Sequence, residues 1–424
     1  MTADRRLTVF ACVVIVQVAC GDMVRNLIGW AGWGVTIGLV IAWSLVELWL
    51  RRRDVPYPGR PALLFVAMAF VSAFWAGSWW STLMGAALTL GIAAAALVIA
   101  TLSLRRLVAV LHWSLQGLLI GSLVFEIVAA LWIGPIRPVW HGDVAGSEVY
   151  WWTPAEIFTG GRISGLTGNA NLTGMLGVMA LIIAVARAMS QQDRRLWPLF
   201  VVVPLASVVL SQSATVVIIL AGCIVAAILI LIRFRVSREA YYRTFWSSIS
   251  AMGGAVIVGA VLWQDLAEML GKSPDLTGRL EFWRIVLVRW LYSPIVGDGW
   301  MGYWMPWVEP YGHLLTQGHA VYLQAHNVWL DVALQLGIVG LIIFVAMQIT
   351  SIRNAVSRIR YSEDHPALRA VPLLLLIALV VQGFTESRPL TELGALLLFM
   401  FAAGLPQRGE RTLPIRVQKQ TAEQ

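Results

Sequence analysis

With 424 residues, 58% of them hydrophobic and only 13% charged, the chain cannot be an ordinary soluble enzyme, whose composition is roughly a quarter charged. Apolar runs near ~20 residues, the length that crosses a bilayer core as helix, recur along it and fix the class as an all-α, polytopic membrane protein. The net charge of +8 sits in short segments between the runs rather than on a soluble face with interleaved aromatics, which excludes nucleic acid as a partner.

About twelve transmembrane helices are expected in chain order, over 7–20, 27–50, 62–76, 83–102, 107–133, 166–188, 197–210, 214–234, 245–263, 328–349, 370–384 and 390–405. The first run has a short basic start resembling a signal peptide. It lacks a small-residue cleavage site and a second span follows at once, so it is expected to remain as the first helix. If the N-terminus is inside, 23 of the 31 Lys and Arg residues fall on inner segments. Both termini are therefore expected in the cytoplasm. Cys12, Cys20 and Cys223 lie in apolar runs without metal or redox spacing and read as lipid-facing or packing residues. The 21 tryptophans gather near run ends and in outer loops, where headgroup-level anchoring is expected. Residues 1–405 form one integral membrane domain in this reading, and 406–424 a polar, disordered cytoplasmic tail.

Two outer connections exceed a turn. The first, 134–165, holds Pro135, Pro138 and Pro154 beside Trp151 and Trp152, and runs into GGRISGLTGNANLTG. Its glycines argue for a broken or re-entrant entry to the sixth span, which survives at membrane depth only beside a polar cavity. The second is the long extracytoplasmic loop, 262–326. Within it 277–292 reads as an amphipathic helix lying in the interface, with Leu280, Leu287 and Leu291 on one face and Arg284 and Arg289 on the polar side. GDGWMGYW follows as a Gly-permitted turn carrying aromatic anchors.

The combination of TGRLEFWRIVL, SPIVGDGW and AHNVWLDVALQLGIVG, with RISGLTGNANLTG upstream and FTESRPL downstream, resembles the signature of the O-antigen ligase and polymerase superfamily. The resemblance runs from about residue 162 to 386, with the family-like core over 166–386. It implies an inverting, metal-independent glycosyl transfer at the outer face of the bacterial cytoplasmic membrane. The donor is then a glycan on a polyprenyl diphosphate and the acceptor a saccharide or lipid hydroxyl. By match to the family motifs, Arg279 and Arg162 hold the diphosphate and His326 is the catalytic base. Asn327, Asn171, Glu386 and Arg284 are supporting residues, and no metal or other cofactor is implied. The residue chemistry agrees. A guanidinium offers a planar fork of donors to a phosphate oxygen pair, and an imidazole titrating near ~6.5 accepts a proton at neutral pH.

Each residue also has a plainer explanation. Arg279 would anchor a helix to headgroup phosphates, and Arg162 would snorkel at a span end. His326 would cap a helix or, with His313 and His319, contribute to a metal site, although the spacing is loose for zinc. Asn327 either orients His326 or caps the tenth span. Asn169 and Asn171 need a polar cavity or an interhelical hydrogen bond. Glu386 either pairs locally with Arg388 or orients His326 or an arginine. Ser211 and Ser213 resemble the start of a family turn whose following basic residue is absent here, leaving their role open. Ligase and polymerase differ only in acceptor; the long outer loop leans toward ligase. A flippase or transporter of lipid-linked sugar is the reading from another class, against which stand the lack of an internal repeat and the gathering of charges at one face. A monomer embedded in membrane lipid is expected, since all spans can close around one cavity.

Overall fold

The computed structural model describes residues 3–139, 151–192, 196–233, 235–261, 278–317 and 320–404. The expected tail and residues 262–277 of the long loop lie outside them. The described chain is built from α-helices: α1 (Ala3–Ala19), α2 (Gly21–Leu50), α3 (Arg60–Val71), α4 (Trp79–Ile99), α5 (Leu104–Val128), α6 (Ala170–Met189), α7 (Trp197–Leu210), α8 (Ala214–Ile232) and α9 (Arg238–Val261). These are followed by α10 (Arg279–Trp290), α11 (Val328–Tyr361), α12 (Pro366–Gln382) and α13 (Leu393–Ala403). A two-residue pairing of β1 (Thr316–Gln317) with β2 (Ala320–Val321) sits in the loop before α11.

Each of the twelve expected segments contains a helix, with ends that differ from the expected bounds by a few residues in most cases. Among the described residues, six helices are long and apolar enough to cross a membrane: α2, α4, α5 with its continuation to Ile133, α6, α8 and α11. Four more, around α3, α7, α12 and α13, are apolar but shorter. The composition dictates this architecture: with no water in a hydrocarbon layer, backbone groups must be satisfied within each segment, and helices do that.

The helices at the centre are those with small or branched apolar side chains on all sides. In α13 every residue from Leu393 to Ala402 is buried, enclosed by α11, α4 and α1. By contrast α2 and α8 expose most of their apolar surface, including Val35, Leu39, Val217 and Ile218, as lipid-facing helices do. Capping residues mark where the site-bearing helices begin. Asn169 accepts hydrogen bonds from the Asn171 and Leu172 amides at the start of α6. Asn327 does the same for Trp329 and Leu330 at the start of α11, each satisfying amides that the helix itself leaves unpaired.

Helix α11 is broken at Gly337 (φ +64°), and the loop 294–299 enters the break. The Asp298 and Gly299 amides donate to the Leu334 and Gln335 carbonyls, while the Ile338 and Val339 amides donate to Pro294 and Ile295. A Cβ at Gly337 would lie 2.2 Å from the Ile295 carbonyl, and one at Gly297 would lie 2.4 Å from that of Gln335. Both positions also need positive φ, which glycine alone adopts without cost. SPIVGDG and ALQLGIVG, far apart in sequence, are thus two halves of one backbone junction.

Three expectations need correcting. The sixth helix starts at Ala170, not 166, because 160–168 stays irregular. Helix α10 docks through Phe282 and Val286, whereas the leucine face of Leu280, Leu287 and Leu291 is exposed. The polar side is also divided: Arg289 pairs with Asp298 at 2.8 Å, and only Arg284 faces outward. Finally, the aromatics of GDGWMGYW are core residues as well as anchors. Trp300 and Trp304 have no exposed surface; Trp300 Nε1 donates to Thr89 Oγ1 at 2.8 Å and Trp304 Nε1 to Asp331 Oδ1 at 2.9 Å. An indole N–H that finds a partner can be buried whole, which composition does not reveal.

Candidate active site

The irregular segment 151–168 folds back over the bundle because a buried carboxylate holds it. Glu126, near the end of α5, accepts the Ser164 and Gly165 amides at 2.8 and 2.6 Å and the Thr153 hydroxyl at 2.6 Å. Trp152 Nε1 donates to the Gly165 carbonyl. This leaves Arg162 at the mouth of α6, where its Nε donates to the Ser211 carbonyl at 2.9 Å and its Nη2 to Asn171 Oδ1 at 3.0 Å. The carbonyl end of α7 suits a cation. Ser211 therefore takes part through its backbone, while Ser213 caps α8.

Glu386, in the turn after α12, is the hub. It is 2% exposed, and four side chains donate to it. Asn171 Nδ2 at 2.9 Å and Arg279 Nη2 at 3.1 Å reach Oε1, while Gln324 Nε2 at 3.1 Å and His326 Nδ1 at 3.2 Å reach Oε2. Burial alone would raise its pKa; the His326 and Arg279 charges and the Asn171 hydrogen bond outweigh it and hold the carboxyl at about 2. Arg162 has its pKa lowered by burial and by the nearby Arg279 guanidinium, partly offset by Glu386. Arg279 thus pairs with Glu386 directly, and Arg162 is tied to it through Asn171.

His326 carries a left-handed backbone (φ +50°), uncommon for a residue with a Cβ and frequent at functional sites. Its ring packs against Phe282, stacked at 6.3 Å, and Tyr322, edge-on at 5.7 Å. In the neutral ring, Nδ1 donates to the carboxylate and Nε2 carries the lone pair. Beside Arg162, an open cleft of about 380 Å³ is lined by Trp151, Glu156, Ser164, Asn169 and Asn171. The α6 N-terminus faces it with the positive end of its dipole.

His326, Arg279, Arg162, Asn171 and Glu386 are therefore one connected constellation. Asn327 caps α11 and ties it to the Glu386 turn through the Phe384 carbonyl and the Ser387 hydroxyl. It does not touch the His326 ring by any hydrogen bond among the described residues. Arg284 stands apart, paired with Glu281 at 2.9 Å on the exposed side of α10. His313 is likewise exposed, 3.7 Å from Glu309, and His319 lies outside the described residues. Arg388, next to Glu386 in sequence, turns away to Asp22 and Glu392.

Two participants were not singled out from the sequence. Gln324 had no signal beyond its closeness to His326. Glu126 did have one: a lone carboxylate inside the apolar run 107–133 must be paired or functional.

Residues 199–345 match the family model described as O-antigen ligase. The resemblance to the O-antigen ligase superfamily holds. The chain is also 27% identical over 214 residues to the exopolysaccharide production protein ExoQ of Rhizobium meliloti (strain 1021). That match covers 49% of this chain and 47% of the relative, so the chain spans about half the length of the curated relative it matches. The matched family segment contains Arg279, His326 and the α11 junction, whereas Arg162, Asn171 and Glu386 lie outside it and join it only through the geometry above.

Proposed function

We propose that this protein transfers a glycan from a polyprenyl diphosphate to an acceptor hydroxyl at the outer face of the bacterial cytoplasmic membrane. The observation that carries the reading is the Glu386 hub, which joins two arginines and a histidine oriented as a base. Arg162 and Arg279 bind the diphosphate and stabilise the charge it gains on leaving. His326 Nε2 takes the acceptor proton as the hydroxyl oxygen attacks the anomeric carbon. The carbon–oxygen bond to the diphosphate breaks, and the electron pair leaves with it. A single displacement inverts the anomeric centre. Glu386 fixes the imidazole tautomer and steadies its charged form, as the carboxylate does in a hydrolase triad.

The distribution of arginines along the bundle supports this sidedness. The constellation lies at the starts of α6 and α11 and the ends of α5, α7 and α12. Arg51, Arg105, Arg106, Arg353 and Arg358 lie at or beyond the other ends of their helices, which supports cytoplasmic termini and a twelve-span topology.

The family description supports a ligase. The relative's name, an exopolysaccharide production protein, favours a second reading, a polymerase joining lipid-linked repeats. Both use the same chemistry and differ in acceptor. Mass profiling of polyprenyl-linked glycans in cells lacking the protein separates them: long chains left on the lipid indicate a ligase, single repeats a polymerase. An unchanged profile would remove both.

A further inference from the structure

A second cavity, of about 80 Å³, lies on the far side of the Glu386 turn, lined among others by Trp30, Tyr303, Gln324, Asp331, Ser387 and Arg388. One residue separates it from the His326 constellation. Gln324 lines the cavity, donates to Glu386 Oε2, and accepts the Ser387 amide at 3.2 Å. The break in α2 at Gly29 (φ +70°) turns Trp30 toward this end, where it meets Trp307 edge-on at 5.2 Å and carries the Arg25 guanidinium over its face at 4.6 Å. Trp33 packs on Tyr303 at 5.7 Å.

The two spaces differ in how their cations are engaged. In the first, Arg162 is held by the Ser211 carbonyl and the Asn171 side chain, with Glu156 also lining the cleft. Around the second, Arg388 is engaged by Asp22 and Glu392, Glu392 also accepts the Tyr303 hydroxyl, and Asp331 stands close by. Both guanidiniums that line it are already paired, Arg25 with Asp22 and Arg388 with Asp22 and Glu392, which disfavours a phosphate and suits a neutral ligand rich in hydroxyls. Aromatic faces with a few placed polar groups are what binds the C–H faces and hydroxyls of a sugar ring.

We propose that this Trp30–Tyr303 cavity is a saccharide subsite. It holds a neutral sugar unit of the acceptor, across Gln324 from the diphosphate cleft. Its role as an acceptor subsite rests on the transfer reaction proposed above; its capacity to bind sugar does not.

The test separates the two. Oligosaccharides released by mild acid from the source cells' own surface polysaccharide are titrated calorimetrically into the protein in lipid nanodiscs, where no sugar detergent competes. Wild type binds them, and Trp30→Ala weakens binding about tenfold, the scale of a lost aromatic contact. Trp30→Phe, which keeps a ring, recovers most of the affinity and shows that the alanine variant's loss is not misfolding. Arg279→Ala leaves saccharide binding unchanged but weakens binding of inorganic diphosphate. In a transfer assay, Trp30→Ala raises the acceptor KM and leaves the donor KM alone. No saccharide binding to wild type, equal binding by Trp30→Ala, or loss with Arg279→Ala instead would overturn the subsite. Saccharide binding that depends on Trp30 in a protein showing no transfer would keep the subsite and overturn the transfer reading.

Discussion

At the scale of single residues, Glu386 organises the candidate site, because one buried carboxylate accepts hydrogen bonds from Asn171, Arg279, Gln324 and His326. His326→Ala is expected to lower transfer by about 10²–10⁴-fold, the usual worth of a positioned base, with membrane abundance unchanged. Transfer near the wild-type rate would take His326 out of the mechanism. Glu386→Gln keeps the shape but removes the charge that steadies the imidazolium, and should cost at least about 10²-fold. The carboxyl also gives a pH signature. Its folded pKa of about 2 lies below the ordinary 4.5, so its contribution, on the order of 3 kcal/mol, is complete above the ordinary value and is lost as the pH falls from there through 2. Thermal midpoints followed from pH 6 to pH 3 should fall in wild type and fall less in Glu386→Gln. Equal slopes would mean that the carboxyl is not held low.

At the scale of elements, two devices place those residues. The first is the junction of α11 with the loop 294–299. Gly337→Ala puts a Cβ on the Ile295 carbonyl at a positive φ and should destabilise the protein by about 2–4 kcal/mol, read as a lowered melting midpoint together with lost transfer. The second is the Asn327 cap. Asn327→Ala removes the Oδ1 acceptor of two helix amides and the bond to Phe384. A loss of about 1–2 kcal/mol is expected, with an activity defect smaller than that of His326→Ala, since the side chain holds a helix start and not the imidazole. The amphipathic helix illustrates what pattern alone misreads. Its leucines mark an apolar face, yet Phe282 and Val286 are the residues that α11 buries, because the docking partner and not the hydrophobic count selects the contact face.

At the scale of the whole molecule, the bundle separates a basic end from a site end. In a variant with Cys12, Cys20 and Cys223 replaced by serine, Arg284→Cys should react with a membrane-impermeant maleimide in intact cells, and Arg53→Cys only after permeabilisation. The reverse pattern would place the site in the cytoplasm. Composition and periodicity by themselves determined the class, the helical segments and their order, because an apolar run of that length has one way to satisfy its backbone in lipid. The family-like motifs named His326, Arg279, Arg162, Asn171 and Glu386 as local chemistry. Tertiary structure alone decided that they meet. Asn171 and Glu386 are 215 positions apart and Arg279 and Glu386 are 107 apart, and no local pattern encodes which helix ends come together. It also decided that Asn327 caps, that Arg284 stays outside, and that Gln324 and Glu126 belong, since a hydrogen bond depends on direction and distance, which only the packed bundle fixes.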